Sequence, residues 1–194
     1  MRATAASASD ALQATQGWLE RAVIGLNLCP FAKAVHAKGQ IHYALCWAQD
    51  TADVLDALAA EMHDLLALAP QQRDTTLLIL PNAFPDFWDF HGVVQRAEKL
   101  LRSLHMDGIL QIASFHPQFE FADAPAGDMA HYTNRAPYPI LHLLRENSMD
   151  RAVAAYPDAA LIYERNIARL RDLGPQGWQD LQVAALSQSM EGAP

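Results

Sequence analysis

The chain has 194 residues and a net charge of −8, and 51% of its residues are hydrophobic against 19% charged. This length and composition are typical of one soluble globular domain. The 14 Lys and Arg residues are scattered and outnumbered by 22 Asp and Glu residues. A nucleic-acid-binding or anionic-membrane-binding surface needs clustered basic residues, so we expect neither partner.

The same inventory favours a cytoplasmic protein. No stretch is long and apolar enough to span a membrane, and the first ten residues lack the charged and then apolar pattern of an export signal. Cys29 and Cys46 are the two cysteines. They are too few for a disulfide framework and have no CxxC spacing, which indicates a reducing compartment.

Seven segments have the hydrophobic period of a helix or a strand, and the last of them lies near the end of the chain. They are a helix capped by Ser9 or Asp10, a strand at 41–47, a helix capped by Thr51, a strand at 75–80, a helix from Phe87 to Leu104, a strand at 109–115, and a last helix ending at Gly174-Pro175. The order β-α-β-α-β, preceded and followed by helices, predicts a single-domain α/β sandwich. Its small sheet should be at least partly parallel. A ferredoxin-like α+β arrangement is the alternative. We place the domain at residues 10–174, with loosely ordered termini at 1–9 and 175–194.

Two of the predicted strands end in proline-containing loops, at residues 80–85 and 114–117. If these strands are parallel, both loops lie at the same edge of the sheet, where ligands bind in open α/β folds. His116 would then be carried to that edge by its own strand, and Pro117 keeps the chain extended there.

The segment from Asn134 to Glu146 is unusually rich in chemically active residues held by prolines. We predict that Pro139 opens a helix, on which His142, Arg145 and Glu146 share the polar face. His142 and Glu146 are then one turn apart, the separation at which two side chains can hold one metal ion.

Two chemistries fit these residues. In the first, His116, His142 and Glu146 form a two-His, one-carboxylate site for Zn, Fe or Mn, which polarises a substrate oxygen or activates water. In the second, Cys29 is a nucleophile at the start of a short helix, activated by a nearby His. Cys46 lies in an apolar strand and is assigned to the core.

A third hypothesis is that the protein binds an anion without catalysing a reaction. The guanidinium groups of Arg135 and Arg145 match carboxylate or phosphate, and Asn134 and Tyr138 lie beside them in sequence. These four residues are therefore our candidates for substrate binding, and a small anionic molecule is the expected ligand.

Three separated motifs also resemble a known family. They are GLNLCPFA at 25–32, ASFHP at 113–117, and TNRAPYP at 133–139 followed by LHLLRE at 141–146. Together they are similar to a bacterial family known as domain of unknown function 1415, over almost the whole chain from Ala11 to about Arg171. The resemblance implies a single domain whose marked segments are those described above, and it implies no activity.

The sequence thus favours an uncharacterised small-molecule enzyme. Metal-assisted chemistry on an anionic substrate is the first hypothesis. A Cys29 hydrolase or transferase and a non-enzymatic anion-binding module remain open.

Overall fold

A four-stranded mixed sheet forms the centre of the computed structural model, which describes residues 7–156 and 158–184. The strands are β1 (Ile41–Leu45), β2 (Thr75–Ile79), β3 (Leu110–Phe115) and β4 (Ile140–Arg145). The helices are α1 (Ala8–Trp18) with its π-helical continuation (Leu19–Ile24), α2 (Ala32–Ala37), α3 (Thr51–Ala67), α4 (Phe87–Ser103), α5 (Glu146–Ala154) and α6 (Ile162–Asp180). Two 3₁₀ segments, Met129–Thr133 and Ala159–Leu161, lie in the connections.

The strand order is β1-β2-β4-β3. β1 and β2 are parallel, and β4 is antiparallel to both β2 and β3. The predicted α/β fold with a partly parallel sheet is therefore confirmed. The chain order β-α-β-α-β-β differs from the β-α-β-β-α-β order of the ferredoxin-like alternative.

Helices start where short polar side chains satisfy free backbone N–H groups. The Ser7 side chain accepts from the Asp10 N–H at the start of α1, and Asp50 accepts from Asp53 at the start of α3. Asp86 accepts from two N–H groups at the start of α4. Ser7 lies two residues before Ser9 and three before Asp10, the predicted caps of α1, and Asp50 lies one residue before Thr51. The residue that caps is the one whose own backbone is still extended.

Each face of the sheet carries its own hydrophobic core. α3 and α4 cover one face, where Phe90 and Leu58 pack against Leu141 and Leu143 of β4. α1 and its π-helical continuation cover the other face, together with residues from the end of the chain. Because β4 is central and buried on both faces, it reads as a nearly continuous apolar run.

The segment after Pro139 is a strand, and the predicted helix with its shared polar face is wrong. β4 pairs with β2 and β3 over its length. Side chains in a strand alternate between faces, so His142 and Arg145 point to opposite sides of the sheet. A six-residue apolar run does not distinguish a buried strand from a helix, and the unpaired edges of β2 and β3 decide the outcome.

The termini differ in part from the prediction. α1 begins at Ala8 and α6 extends to Asp180, with a break at Gly174, whose φ is +68°. Val183 is buried against the core that α1 covers. Residues 175–184, expected to be loose, therefore contain helix and packed side chains. Residues 1–6 and 185–194 lie outside the described part of the chain.

Candidate functional site

An apolar cavity of about 220 Å³ lies between the sheet and the N-terminal helices. We call it the sheet cavity. Trp18 and Val23 come from the first helical layer, and Phe31 from the segment that leads into α2. Leu77 and Phe115 come from the sheet, and α5 closes one side. Because the walls are mostly apolar, the few polar groups that reach the cavity determine its chemistry.

His142 is one of those polar groups. Its Nε2 lies 2.6 Å from Oγ1 of Thr75, and the Thr75 hydroxyl donates to the Leu143 carbonyl at 2.5 Å. A carbonyl oxygen can only accept, so the single hydroxyl proton points to Leu143. Thr75 Oγ1 then accepts from His142, which places the ring proton on Nε2. Nδ1 has no hydrogen-bond partner among the described residues and keeps its lone pair free.

Burial sets the charge of this histidine. The enclosing protein lowers the pKa of His142 to about 4, because an imidazolium there would lose its hydration. The ring is therefore neutral at physiological pH. A neutral imidazole with a free Nδ1 can accept a proton from a group in the cavity.

Cys29 also lines the sheet cavity. Burial raises the pKa of its thiol, and the backbone N–H groups of Phe31 and Ala32 partly offset this rise. α2 begins at Ala32 with Phe31 as its N-cap, so Cys29 lies just before the helix instead of capping it. The resting thiol is protonated, with main-chain donors available to stabilise a thiolate once one forms.

Two further polar groups lie at the mouth of the sheet cavity. Asp74 and Ser148 both line it, and the Ser148 hydroxyl donates to Oδ1 of Asp74 at 2.7 Å. Sequence reasoning missed these two residues and Thr75. Thr75 carries a weak signal, since it is a hydroxyl residue at the first position of a strand that is buried throughout. Asp74 and Ser148 reach the site only through the pairing of β2 with β4.

His116 has a different role. The loops after β2 and β3 do meet at one edge of the sheet, because the fully buried His116 donates from Nε2 to the Phe84 carbonyl at 3.0 Å. Its Nδ1 accepts from the Gln118 N–H at 3.0 Å. Both ring nitrogens are thus bound to backbone, and burial lowers the pKa of His116. This histidine fastens two loops together.

His131 also has both ring nitrogens bound to backbone groups, within the loop that follows His116. Nδ1 accepts from the Phe121 N–H at 3.0 Å, and Nε2 lies 2.9 Å from the Pro125 carbonyl. Because Nδ1 accepts, Nε2 carries the proton and donates. The long connection between β3 and β4 is therefore held by two buried histidines.

Arg145 is occupied by main-chain carbonyls. Its guanidinium donates to the carbonyls of Leu65, Leu68 and Arg73. Leu65 and Leu68 lie at the C-terminal end of α3, where carbonyls lack partners within the helix. Arg145 therefore caps α3 and, although it borders the sheet cavity, its guanidinium is not free to hold an anion.

The other three residues predicted to bind the substrate do not line the sheet cavity. Arg135 stacks over the Tyr132 ring at 4.1 Å and donates to the Phe119 carbonyl. Tyr138 is buried in the core beneath α1. Asn134 donates to the Ser114 carbonyl at 3.1 Å and lines a second cavity, of about 370 Å³, which also contains Cys29.

The metal hypothesis gains no support from this geometry. Glu146 is the first residue of α5 and does not line the sheet cavity. Within residues 7–156 and 158–184, no three His, Cys, Asp or Glu side chains are grouped so that they could hold one ion. The prediction of His116, His142 and Glu146 as metal ligands therefore stays without structural support, and we derive no step through a metal.

No helix in the described part of the chain is both long and apolar enough to cross a bilayer.

A family model whose description is "Protein of unknown function (DUF1415)" matches residues 10–180. Comparison with curated proteins and with solved structures gave no match.

Proposed function

Since the chain belongs to this family of unknown function, its chemistry has to be argued from the site, and we propose that the protein is a thiol-dependent acyl hydrolase or acyltransferase. Cys29 is the nucleophile, His142 is the base, and the sheet cavity holds a small apolar acyl group. The observation that carries the proposal is that a protonated thiol and a neutral histidine with a free Nδ1 line one apolar cavity.

The reaction starts from two neutral groups. Cys29 Sγ attacks the carbonyl carbon of an ester or thioester, and its proton passes to Nδ1 of His142. The leaving group departs with that proton, which leaves an acyl-Cys29 thioester. Water, or an acceptor alcohol or thiol, then attacks the acyl carbon and gives its proton to Nδ1. Release of the acyl group returns the proton to Cys29.

Thr75 is the positioning residue for this base. Its hydroxyl fixes the tautomer by accepting from Nε2, so that Nδ1 is the nitrogen free to accept. The same division, with one nitrogen held and the other reactive, is how histidine bases are oriented in nucleophilic catalysis. A reducing compartment, where Cys29 stays a free thiol, suits the proposal.

The apolar cavity argues for the acyl side of the substrate. An apolar cavity of about 150 Å³ accepts benzene, so the sheet cavity has room for a short acyl chain or a phenyl ring. With the Arg145 guanidinium taken up by α3, an anionic group would have to bind outside this cavity.

The test is acylation of the protein by p-nitrophenyl butyrate. We expect a burst of p-nitrophenol and a butyryl adduct that peptide mapping places on Cys29. The Cys29→Ser variant should lose the adduct. Cys46→Ser is the matched control, because Cys46 lies in the core beneath α3 and α4, and it should retain the adduct.

His142→Gln should slow acylation by about 10²-fold, a typical loss for a missing general base. Circular dichroism on each variant separates loss of reaction from loss of fold. Acylation at full rate in folded His142→Gln, or equal acylation of both cysteines, would overturn the proposal. Activity that survives Cys29→Ser, is removed by a chelator and returns with Zn, Mn or Fe(II) would favour the metal-assisted hypothesis.

A further inference from the structure

Three cavities share lining residues with one another, and Cys29 lines two of them. The second cavity, which we call the outer cavity, shares Val23, Cys29 and Phe115 with the sheet cavity. A third cavity, of about 170 Å³, shares Ile162 and Asn166 with the outer cavity. We call it the arginine cavity. Because Cys29 lines both the sheet cavity and the outer cavity, a substrate whose reactive carbon lies at Cys29 could place one part in each.

The chemistry of the walls changes from one cavity to the next. The sheet cavity is apolar, as described above. The outer cavity contains Thr133, Asn134 and Asn166, which suit hydroxyl and amide groups. The arginine cavity contains Arg165 and Arg169, one turn apart on α6, next to Asn27 and Tyr156.

The two arginines concentrate positive charge on an acidic protein. Arg165 pairs with Asp158 at 2.8 Å, and both partners are about half exposed. Such an exposed pair contributes little and can be exchanged for a ligand anion. The Arg169 side chain makes no ion pair or hydrogen bond with residues 7–156 and 158–184. Two guanidinium groups at this spacing match a phosphate or a pair of carboxylates.

We propose that the substrate is an acyl thioester or ester whose leaving group is polar and ends in an anion that binds Arg165 and Arg169. This inference depends on the proposed function and extends it to a substrate class. The acyl group occupies the sheet cavity, the reactive carbonyl lies at Cys29, and the polar part of the leaving group crosses the outer cavity. The anion remains bound until the leaving group departs from acyl-Cys29.

The test compares thioesters that share one acyl group. Butyryl-coenzyme A carries phosphates, S-butyrylglutathione carries carboxylates, and butyryl-N-acetylcysteamine is neutral. Wild-type protein should show a KM for one of the anionic thioesters at least ten-fold below that for the neutral thioester. An Arg165→Ala, Arg169→Ala double variant should raise that KM about ten-fold, with the neutral thioester changed less than two-fold.

The matched control is an Arg96→Ala, Arg102→Ala double variant. It makes the same change in net charge on α4, whose arginines are exposed on the opposite side of the sheet. It should leave all three KM values unchanged. An equal effect of both double variants, or equal KM values for all three thioesters in wild-type protein, would overturn the inference and leave the proposed function standing.

Binding keeps the inference testable if turnover is absent. Calorimetry with coenzyme A and with glutathione measures the anion site without any reaction. Binding of either that is lost in Arg165→Ala, Arg169→Ala and kept in Arg96→Ala, Arg102→Ala supports the site even if Cys29 is never acylated. Absence of binding by both compounds rejects the inference. Absence of turnover, with no acylation of Cys29, rejects the proposed function.

Discussion

His142 shows how one residue acquires a function from its surroundings. In the sequence it is one of 8 histidines. In the fold its Nε2 is bound to Thr75, its Nδ1 has no partner among residues 7–156 and 158–184, and burial keeps the ring neutral. His116 and His131 have the same chemistry, but both of their nitrogens are bound to backbone. The number of ring nitrogens bound to backbone separates these two histidines from the one that we propose as a base.

The shifted pKa makes stability depend on pH. In the folded protein the pKa of His142 is about 4, below its ordinary value of 6.5. The unfolded chain therefore binds the proton more readily, and the free energy of unfolding falls as the pH drops from 6.5 towards 4. The full effect is at most about 3 kcal/mol, from about 1.4 kcal/mol per pKa unit.

Urea unfolding at pH 7.5 and at pH 5.0 measures this effect. The wild type should lose more stability between these values than His142→Gln, by about 2 kcal/mol. His91→Gln, at an exposed position on α4, should behave as the wild type. Equal losses in the wild type and His142→Gln would mean that the ring is not buried neutral.

At the scale of elements, Arg145 joins β4 to the end of α3. A helix ends with carbonyls that lack partners, and the Arg145 guanidinium supplies donors to those of Leu65 and Leu68. The sequence pattern L-L-R-E shows none of this, because α3 ends 78 positions earlier in the chain. Arg145, which was predicted to bind an anion, instead caps the end of α3.

Arg145→Met keeps much of the side-chain volume and removes the donors. We expect it to destabilise the protein by about 2–3 kcal/mol, the usual cost of unpaired buried groups that had a charged partner. Thermal or urea unfolding measures the loss, and the exposed Arg96→Ala should have almost no effect. A stable Arg145→Met protein with weakened anion binding would instead support the original sequence-based role.

At the scale of the whole molecule, the two sheet faces have different uses. The face beneath α3 and α4 is filled by large side chains such as Phe90 and Leu141. The face beneath the N-terminal helices leaves the sheet cavity, which Ala113 lines from β3 opposite His142. One face is filled and stabilises the sheet, and the other leaves the cavity that we propose to hold the acyl group.

Filling that cavity should change which acyl group is accepted. Ala113→Val adds two methyl groups on a strand, where a β-branched residue is well tolerated. We expect acylation by p-nitrophenyl hexanoate to fall at least ten-fold relative to p-nitrophenyl acetate, with the melting temperature kept within a few degrees. Ala97→Val, in the core on the other face, should not alter that ratio in folded protein. An unchanged ratio in Ala113→Val would place the acyl group elsewhere.

Elements with a long and regular pattern follow directly from the amino-acid sequence. α3 and α4 each repeat apolar residues over 17 residues, and the first three strands are bounded by helices or turns, so their type and order follow from local periodicity. The α/β class and the partly parallel sheet follow in turn. The cytoplasmic location, the metal ligands and the anionic ligand remain predictions.

The roles proposed for Cys29 and His142 depend on tertiary packing, and so does the role of Arg145. β4 is a strand because the edges of β2 and β3 leave a place for it, and that choice put His142 in the cavity and Arg145 on α3. Cys29 meets the same cavity although 113 positions separate it from His142. Spacing along a chain fixes neighbours on a helix or strand. Which distant side chains share a cavity depends on how the layers pack, and no local pattern records that.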